Sequence, residues 1–353
     1  MAGLHELLHH VRDQRGSDLH LAAGLEPRIR RNGSLEAVPA WPVLDPPRVL
    51  ELLREAATAA QWEEFQRSHD LDFAYGIEGV ARFRVNYLYQ QNGASAIFRL
   101  IPEQIATLEE LDMPKAIEGL AHVRSGLILI TGPTGCGKST TLAAIVDRIN
   151  STYSKHIVTI EDPVEFVHRN KRCRFSQREV GTDTESFSAA LRGAIRQDAD
   201  VIMVGEMRDL ETISLAITAA EMGAVVFGTL HTNGAANTID RLIDVFPADE
   251  QALVRTTLSE SLAAVVSQLL LRTADGHGRC AVVEVLLRTA GLPNVIREGN
   301  TPMITTIMQG GRALGMQLMD DALAAMVEAK RVTPREAYLK ATNKARFENL
   351  IEE

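Results

Sequence analysis

The sequence predicts an α/β protein: a small α+β domain, then a larger parallel-sheet domain, then a helical end. Three observations carry this. Four short apolar runs, "LILIT" (Leu127–Thr131), "IVTI" (Ile157–Ile160), "VIMV" (Val201–Val204) and "AVVFGTL" (Ala224–Leu230), alternate with helical segments, as strands covered on both faces do. The residues before them show alternating polar and apolar positions around turn signals. Between the first apolar run and a helix lies "GPTGCGKSTT" (Gly132–Thr141), which reads as a phosphate-cradling loop.

The chain of 353 residues suits two domains, at about 150 residues each, and can bury a core without staples. Hydrophobic residues are 45% and charged residues 24%, a soluble globular profile. The net charge of −9 lacks the basic excess of a general nucleic-acid binder, so no direct nucleic-acid partner is expected. Cys136, Cys173 and Cys280 form no C-x-x-C pair and suit reduced thiols in a cytoplasm. "MAGLHELLHHVRDQRG" lacks the apolar centre of a secretory signal. The greasiest stretch, "LAAVVSQLLL" (Leu262–Leu271), is about half a bilayer span and is interrupted by Ser267 and Gln268. The expected location is cytoplasmic, with any membrane role exercised through a partner.

Residues 1–100 form the expected α+β domain. "HELLHHVRDQRGSDLHL" predicts a short helix ended by Gly16, then a strand. "PRIRRNGSLEAVP" predicts a hairpin around Asn32-Gly33. "PPRVLELLREAATAAQWEEFQR" predicts one helix with Pro46 and Pro47 near its start. "DLDFAYGIEGVARFRVNYLYQQNGASAIFRLI" predicts three strands, with turns at Ile77-Glu78-Gly79 and Asn92-Gly93. In the middle strand Phe83, Val85 and Tyr87 should face the core, and Arg82, Arg84 and Asn86 the other side. Residues 101–113 read as a linker ending near Pro114. Residues 114–290 form the parallel core, with helices such as "TLAAIVDRIN" and "SFSAALRGAIRQD" between strands and a late hairpin turning near Asp275-Gly276. Residues 291–353 are helical: Thr333 fits an N-cap, Pro334 the first helical position, and Glu336 completes a capping box.

Four stretches carry chemistry. Gly132 to Ser139 fits G-x-x-x-x-G-K-[ST] between a strand and a helix, so Gly132, Pro133, Thr134, Gly135, Cys136, Gly137, Lys138, Ser139 and Thr140 are the candidate nucleotide-binding residues. The glycines let backbone N–H groups approach phosphates, Lys138 supplies a point charge, and Ser139 can ligate Mg²⁺, so ATP with Mg²⁺ is the expected pair. The helix N-terminus adds partial positive charge. In "TIEDPVEFVH", Glu161, Asp162 and Glu165 cluster after a strand. Alone this reads as a solvated acidic turn; one strand on from a phosphate loop, it reads as a group positioned on an attacking water. In "RQDADVIMVGEMRD" the usual acidic residue of a Walker B strand is Gly205, so Glu206 must reach the Mg²⁺ shell. In "FGTLHTNGAANTIDRLIDVFP", His231 and Thr232 end a strand beside the same crevice, and His231 fits either a structural histidine or a γ-phosphate sensor.

These stretches, with "GSDLHL", "RFRVN", "IFRLIP" and "IDVFPADEQ", resemble in order the secretion-superfamily ATPases of type IV pili and type II secretion, and within them the pilus-retraction branch. The resemblance covers nearly the whole chain. It implies a homo-hexameric ring of subunits, each with an N-terminal PAS-like domain and a C-terminal RecA-like ATPase domain. It implies that Glu161 activates water, Glu206 acts on Mg²⁺ and His231 senses the γ-phosphate. Arg82, Arg84 and Arg99 match segments that supply phosphate-facing arginines. It also implies pilus retraction and twitching motility as the function, an inner-membrane pilus platform as partner, and a second retraction ATPase as a further one.

Two departures stand out. Retraction motors usually carry a histidine in "ETGH", where this chain has "EMGA" with Ala224. Their C-terminal "AIRNLIRE" appears as "GLPNVIREGN", which keeps Ile296, Arg297 and Glu298. An accessory retraction-type paralogue is therefore a second expectation. Assembly and secretion ATPases of the superfamily usually carry a four-cysteine zinc module, which three scattered cysteines cannot supply. A DNA-translocating motor fits poorly with the acidic charge and the want of an aromatic-basic groove.

Overall fold

A computed structural model describes residues 3–31, 34–77, 80–101 and 104–351. The turns expected at Asn32-Gly33 and Glu78-Gly79 lie outside the described residues. The chain divides into two compact units, Met1–Gln104 with Pro163–Val167, and Ile105–Asp162 with His168–Glu353.

The first unit contains α1 (Leu4–Asp13), β1 (Asp18–Ala22), β2 (Arg28–Arg31), β3 (Ser34–Ala37), α2 (Pro46–Ala56), α3 (Ala59–Ser68), β4 (Asp70–Ile77), β5 (Ala81–Gln90) and β6 (Gly93–Ile101). Its strands form an antiparallel sheet in the order β3-β2-β1-β6-β5-β4. β5 alternates as expected: Phe83, Val85 and Tyr87 are fully buried, while Arg82, Arg84 and Asn86 are half-buried. Tyr87 meets Phe65 and Phe73 edge to face and donates its hydroxyl to the Leu53 carbonyl at 2.7 Å, which satisfies its one buried polar atom. The single helix expected after Pro46 is two helices. Thr58 interrupts it, because its hydroxyl accepts from the Gln61 N–H while the Gln61 side chain accepts from the Thr58 N–H, a complete capping box.

The second unit continues with α4 (Lys115–Leu120), β7 (Gly126–Thr131), α5 (Lys138–Thr152), β8 (His156–Glu161), β9 (Arg174–Glu179), α6 (Phe187–Ala194), β10 (Val201–Val204), α7 (Leu210–Glu221), β11 (Val225–Leu230), α8 (Ala235–Asp244), α9 (Gln251–Ser261), β12 (Leu262–Arg272) and β13 (Arg279–Leu287). Five helices end the chain: α10 (Leu292–Glu298), α11 (Met303–Gly310), α12 (Met319–Glu328), α13 (Pro334–Lys340) and α14 (Ala345–Glu348), with a 3-10 turn at Arg312–Leu314. The sheet order is β13-β12-β7-β11-β10-β8-β9, parallel except for β13. The apolar runs are its buried centre, with separate hydrophobic clusters on the two faces.

Two features add to the reading of the sequence and one expectation is corrected. Within the expected linker, Leu108 and Met113 are buried in one of those clusters, because the segment before α4 packs on the sheet. The polar segment "RFSQRE" is the strand β9, which the apolar-run criterion passes over because an edge strand needs no apolar residue on every position. At α13 the Thr333 hydroxyl accepts from the Glu336 N–H at 3.3 Å, so the N-cap forms; a return contact from the Glu336 side chain does not occur among the described residues.

Candidate active site

The phosphate loop runs from the end of β7 to the start of α5, with Gly132, Gly135 and Gly137 at φ 140, 77 and 89. A Cβ on Gly132 would lie 2.2 Å from the Gln268 carbonyl oxygen, and one on Gly137 would lie 3.0 Å from the Gln268 amide nitrogen. Gln268, the residue that breaks the apolar run of β12, therefore props the loop from beneath. It is buried, donates Nε2 to the Cys136 carbonyl at 2.7 Å, and accepts from the Thr141 hydroxyl at 2.8 Å. Lys138 Nζ donates to the carbonyls of Gly132 (2.8 Å) and Pro133 (3.1 Å), within the same loop. Burial pushes the Cys136 thiol up, so it packs as a protonated group. Ser139 and Thr140 open the first turn of α5. Glycines held at positive φ with a lysine at the helix start make a cradle that fits a triphosphate.

The other site residues follow the C-terminal ends of neighbouring strands, where open α/β sheets bind ligands. His231 follows β11 and lies 3.5 Å from Lys138 Nζ through Nδ1 and 3.1 Å from Glu206 through Nε2. Glu206 follows β10 and is also held by Arg208 at 2.6 Å. Burial pushes the Glu206 carboxyl up, but the Arg208 hydrogen bond and charge, with His231, outweigh it and hold it below its ordinary value. The glycine at position 205 has a steric cause. Its N–H bonds the Ile160 carbonyl at 2.8 Å, and a Cβ there would meet that oxygen at 3.2 Å and the Glu161 Cα at 3.4 Å. A side chain at this position would press on the end of β8, which would have to give by a few tenths of an ångström.

Glu161 ends β8 and is buried at 6% exposure. Its Oε1 accepts from the Thr159 hydroxyl at 2.7 Å and from Gln177 Nε2 at 3.1 Å. The expected acidic cluster divides. Asp162 is exposed, and Glu165 belongs to the first compact unit, where it lies 3.9 Å from Arg84. The turn expected of "EDPVE" is where the chain passes from one unit to the other.

Arg82, Arg84 and Arg99 lie on the sheet of the first unit. Arg84 and Arg99 are cross-strand neighbours on β5 and β6, and Arg99 pairs with buried Asp18 at 2.8 Å. Arg82 and Arg84 share the face away from Tyr87. Sequence reasoning missed Gln177, Thr159, Arg208 and Gln268. Gln268 had a visible signal, a polar residue in an apolar run; Arg208 and Thr159 sat inside quoted motifs; Gln177 sat in a strand with no apolar signature.

A profile of the type II/IV secretion system protein family matches residues 4–350, and the chain belongs to that family, in its PilT-like retraction-ATPase branch. It is 50% identical over 336 residues to the type IV pilus retractation ATPase PilT of Pseudomonas aeruginosa, covering 95% of this chain and 97% of that one. It is 39% identical over 336 residues to the type IV pilus ATPase PilU of the same organism, covering 95% and 88%. The crystal structure of the pilus retraction motor PilT with bound ADP superposes with a TM-score of 0.92 at 39% identity, covering 99% of this chain and all of that one.

Proposed function

We propose that this chain is an ATP-hydrolysing motor that retracts a type IV pilus and works as a homo-hexameric ring. The observation that carries the reading is the convergence of Lys138, His231 and Glu206 on one crevice, with Glu161 at the end of the next strand. In this reading Glu161 takes the proton of the attacking water and His231 reads the γ-phosphate. Ser139 and Glu206 fit Mg²⁺, a hydroxyl and a carboxylate being suitable oxygen ligands. When bound, that ion supplies charge neutralisation at the β- and γ-phosphates. The ADP in the PilT crystal structure supports nucleotide binding at the loop. No helix among the described residues is long and apolar enough to cross a membrane. A cytoplasmic ring docked on an inner-membrane platform protein, with a second retraction ATPase as a further partner, fits that.

Arg82, Arg84 and Arg99 supply positive charge to the phosphates of a ring neighbour in this proposal. A trans arginine is worth about 10³–10⁵ in rate, or about 4–7 kcal/mol of barrier. A strictly monomeric preparation should then be nearly inert; one as fast as the ring would overturn the trans arrangement. Lys138→Ala should abolish turnover, and equal rates would remove the ATPase reading.

The second reading, an accessory retraction paralogue, is favoured by Ala224. That residue precedes β11, at the opposite end of the strand from His231, about 20 Å away at ~3.3 Å per residue. It lines a cavity of about 240 Å³ with Asp198, Asp200 and Met222. The departure therefore lies away from the hydrolytic residues. Greater identity to PilT than to PilU supports the main-motor reading. A deletion strain separates the two: excess pili without twitching marks the main motor, near-normal twitching an accessory one, and loss of pili an assembly ATPase.

A further inference from the structure

We infer that Gln177 is a positioning residue for hydrolysis: it orients the Glu161 carboxylate by donating to it, and its amide polarity is what the reaction needs. The inference rests on the reading of Glu161 as the water-activating base.

The geometry is set by β8 and β9. They run parallel with Thr159 opposite Gln177 and Glu161 opposite Glu179. Residues two apart on a strand share a face, so Thr159 and Glu161 lie on one side of β8, and Phe175, Gln177 and Glu179 on one side of β9. The Gln177 side chain lies between two fixed partners. Its Oε1 accepts the backbone N–H of His168 at 2.7 Å, and its Nε2 donates to Glu161 Oε1 at 3.1 Å. A backbone N–H can only donate, so the oxygen end of the amide must face His168 and the NH₂ end must face Glu161. The orientation is thus dictated by the partners.

The anchor behind it is built. His168 is 7% exposed, and its ring stacks on Phe175 with centroids 4.7 Å apart and planes 6° from parallel. His168 is therefore immobilised on the same strand that carries Gln177. The Thr159 hydroxyl supplies the second donor to Glu161 Oε1 at 2.7 Å. Two donors from adjacent strands hold Oε1 at the end of β8, and losing one of them widens the range of side-chain torsions open to the carboxylate. A base must lie within hydrogen-bond reach of the proton it takes, so such rotation lowers the population of productive geometry without changing the phosphate cradle.

The test uses the assembled full-length protein. Gln177→Glu keeps size and the acceptor for His168 but turns the donor facing Glu161 into a carboxylate oxygen. Gln177→Leu removes both contacts. Both should lower kcat by about tenfold to a hundredfold, with KM and fluorescent-ATP affinity within roughly twofold of wild type. In a Glu161→Gln background, measured in single turnover, neither should lower the residual rate further. A Gln177→Glu ring with wild-type kcat, beside an inactive Glu161→Gln ring, would overturn the inference. So would a Gln177 effect that persists undiminished in the Glu161→Gln background, since it would then act without Glu161. A Glu161→Gln ring at full rate would instead overturn the base assignment itself. Thermal unfolding and ring assembly measured alongside separate these outcomes from misfolding, and Gln177→Glu, which retains the His168 contact, serves if Gln177→Leu fails to fold.

Discussion

Glu161 and Glu206 end neighbouring strands and are held in opposite ways. Glu161 is buried and held by the neutral donors Thr159 and Gln177. Glu206 is half-buried and held by a guanidinium and an imidazole, Arg208 and His231. Neutral donors orient a carboxylate, which in the proposed reading suits a group that must present a lone pair to a water and accept its proton. The Arg208 guanidinium offsets the Glu206 charge and can be exchanged for another cation, which in the proposed reading suits a group that meets a metal and phosphates. On the proposed reading the same side chain would take two roles through the company that its strand position dictates.

The largest test of that contrast is kinetic. Glu161→Gln should lower kcat by about 10²–10⁴ at every Mg²⁺ concentration, with nucleotide affinity intact. The loss in Glu206→Gln should shrink as Mg²⁺ is raised, because a weakened site can be refilled. Steady-state ATPase titrated with Mg²⁺ reads both, and identical Mg²⁺-insensitive losses would erase the distinction.

Next comes the prop beneath the phosphate loop, which also works with neutral groups. Gln268→Leu leaves the Cys136 carbonyl and the Thr141 hydroxyl without this partner. At about 1–3 kcal/mol for each buried group, urea denaturation should show a loss of about 2–6 kcal/mol, together with weaker nucleotide binding.

His168, behind Gln177, should report through pH. Burial lowers its pKa from 6.5 to about 4. Between those values the unfolded chain takes up a proton and the native imidazole does not, so stability falls as pH drops from 6.5 to about 4 and levels off below. The loss is on the order of 3 kcal/mol. Urea titrations across that range should show it in wild type and much reduced in His168→Gln.

The smallest effect belongs to the cation-held side. Arg208 is 72% exposed, and an exposed pair is worth about 0–1 kcal/mol. Arg208→Gln should therefore unfold within about 1 kcal/mol of wild type, whereas Thr159→Val, which deletes a buried bond to a carboxylate, should cost about 1.5–3 kcal/mol. The reverse ranking would mean that Glu206 depends on Arg208 more than Glu161 depends on its neutral donors.

Much of this was legible in residue order. The four apolar runs became β7, β8, β10 and β11 because strands covered on both faces admit little polarity. Lys138, Glu206 and His231 were readable because a phosphate loop restricts what can follow at neighbouring strand ends. The edge strand β9 was not, since one open edge removes the demand for apolar residues, and Gln177 went unseen with it. The break at Thr58 was missed because a capping box inside a continuous amphipathic pattern is decided by side-chain contacts that periodicity does not report.

The sequence by itself determined the phosphate loop, the parallel core and the residue types at its crevice, because these depend on local pattern and on backbone conformations that few residues tolerate. Tertiary structure alone decided which carboxylate stands with which donor. Thr159 and Gln177 are 18 positions apart along the chain yet opposite one another across two strands. Gln268 comes 136 residues after Gly132, yet its carbonyl is what excludes a side chain there. Such pairings follow from sheet order and register, which are set by burial over the whole unit and not by the spacing of the residues that meet.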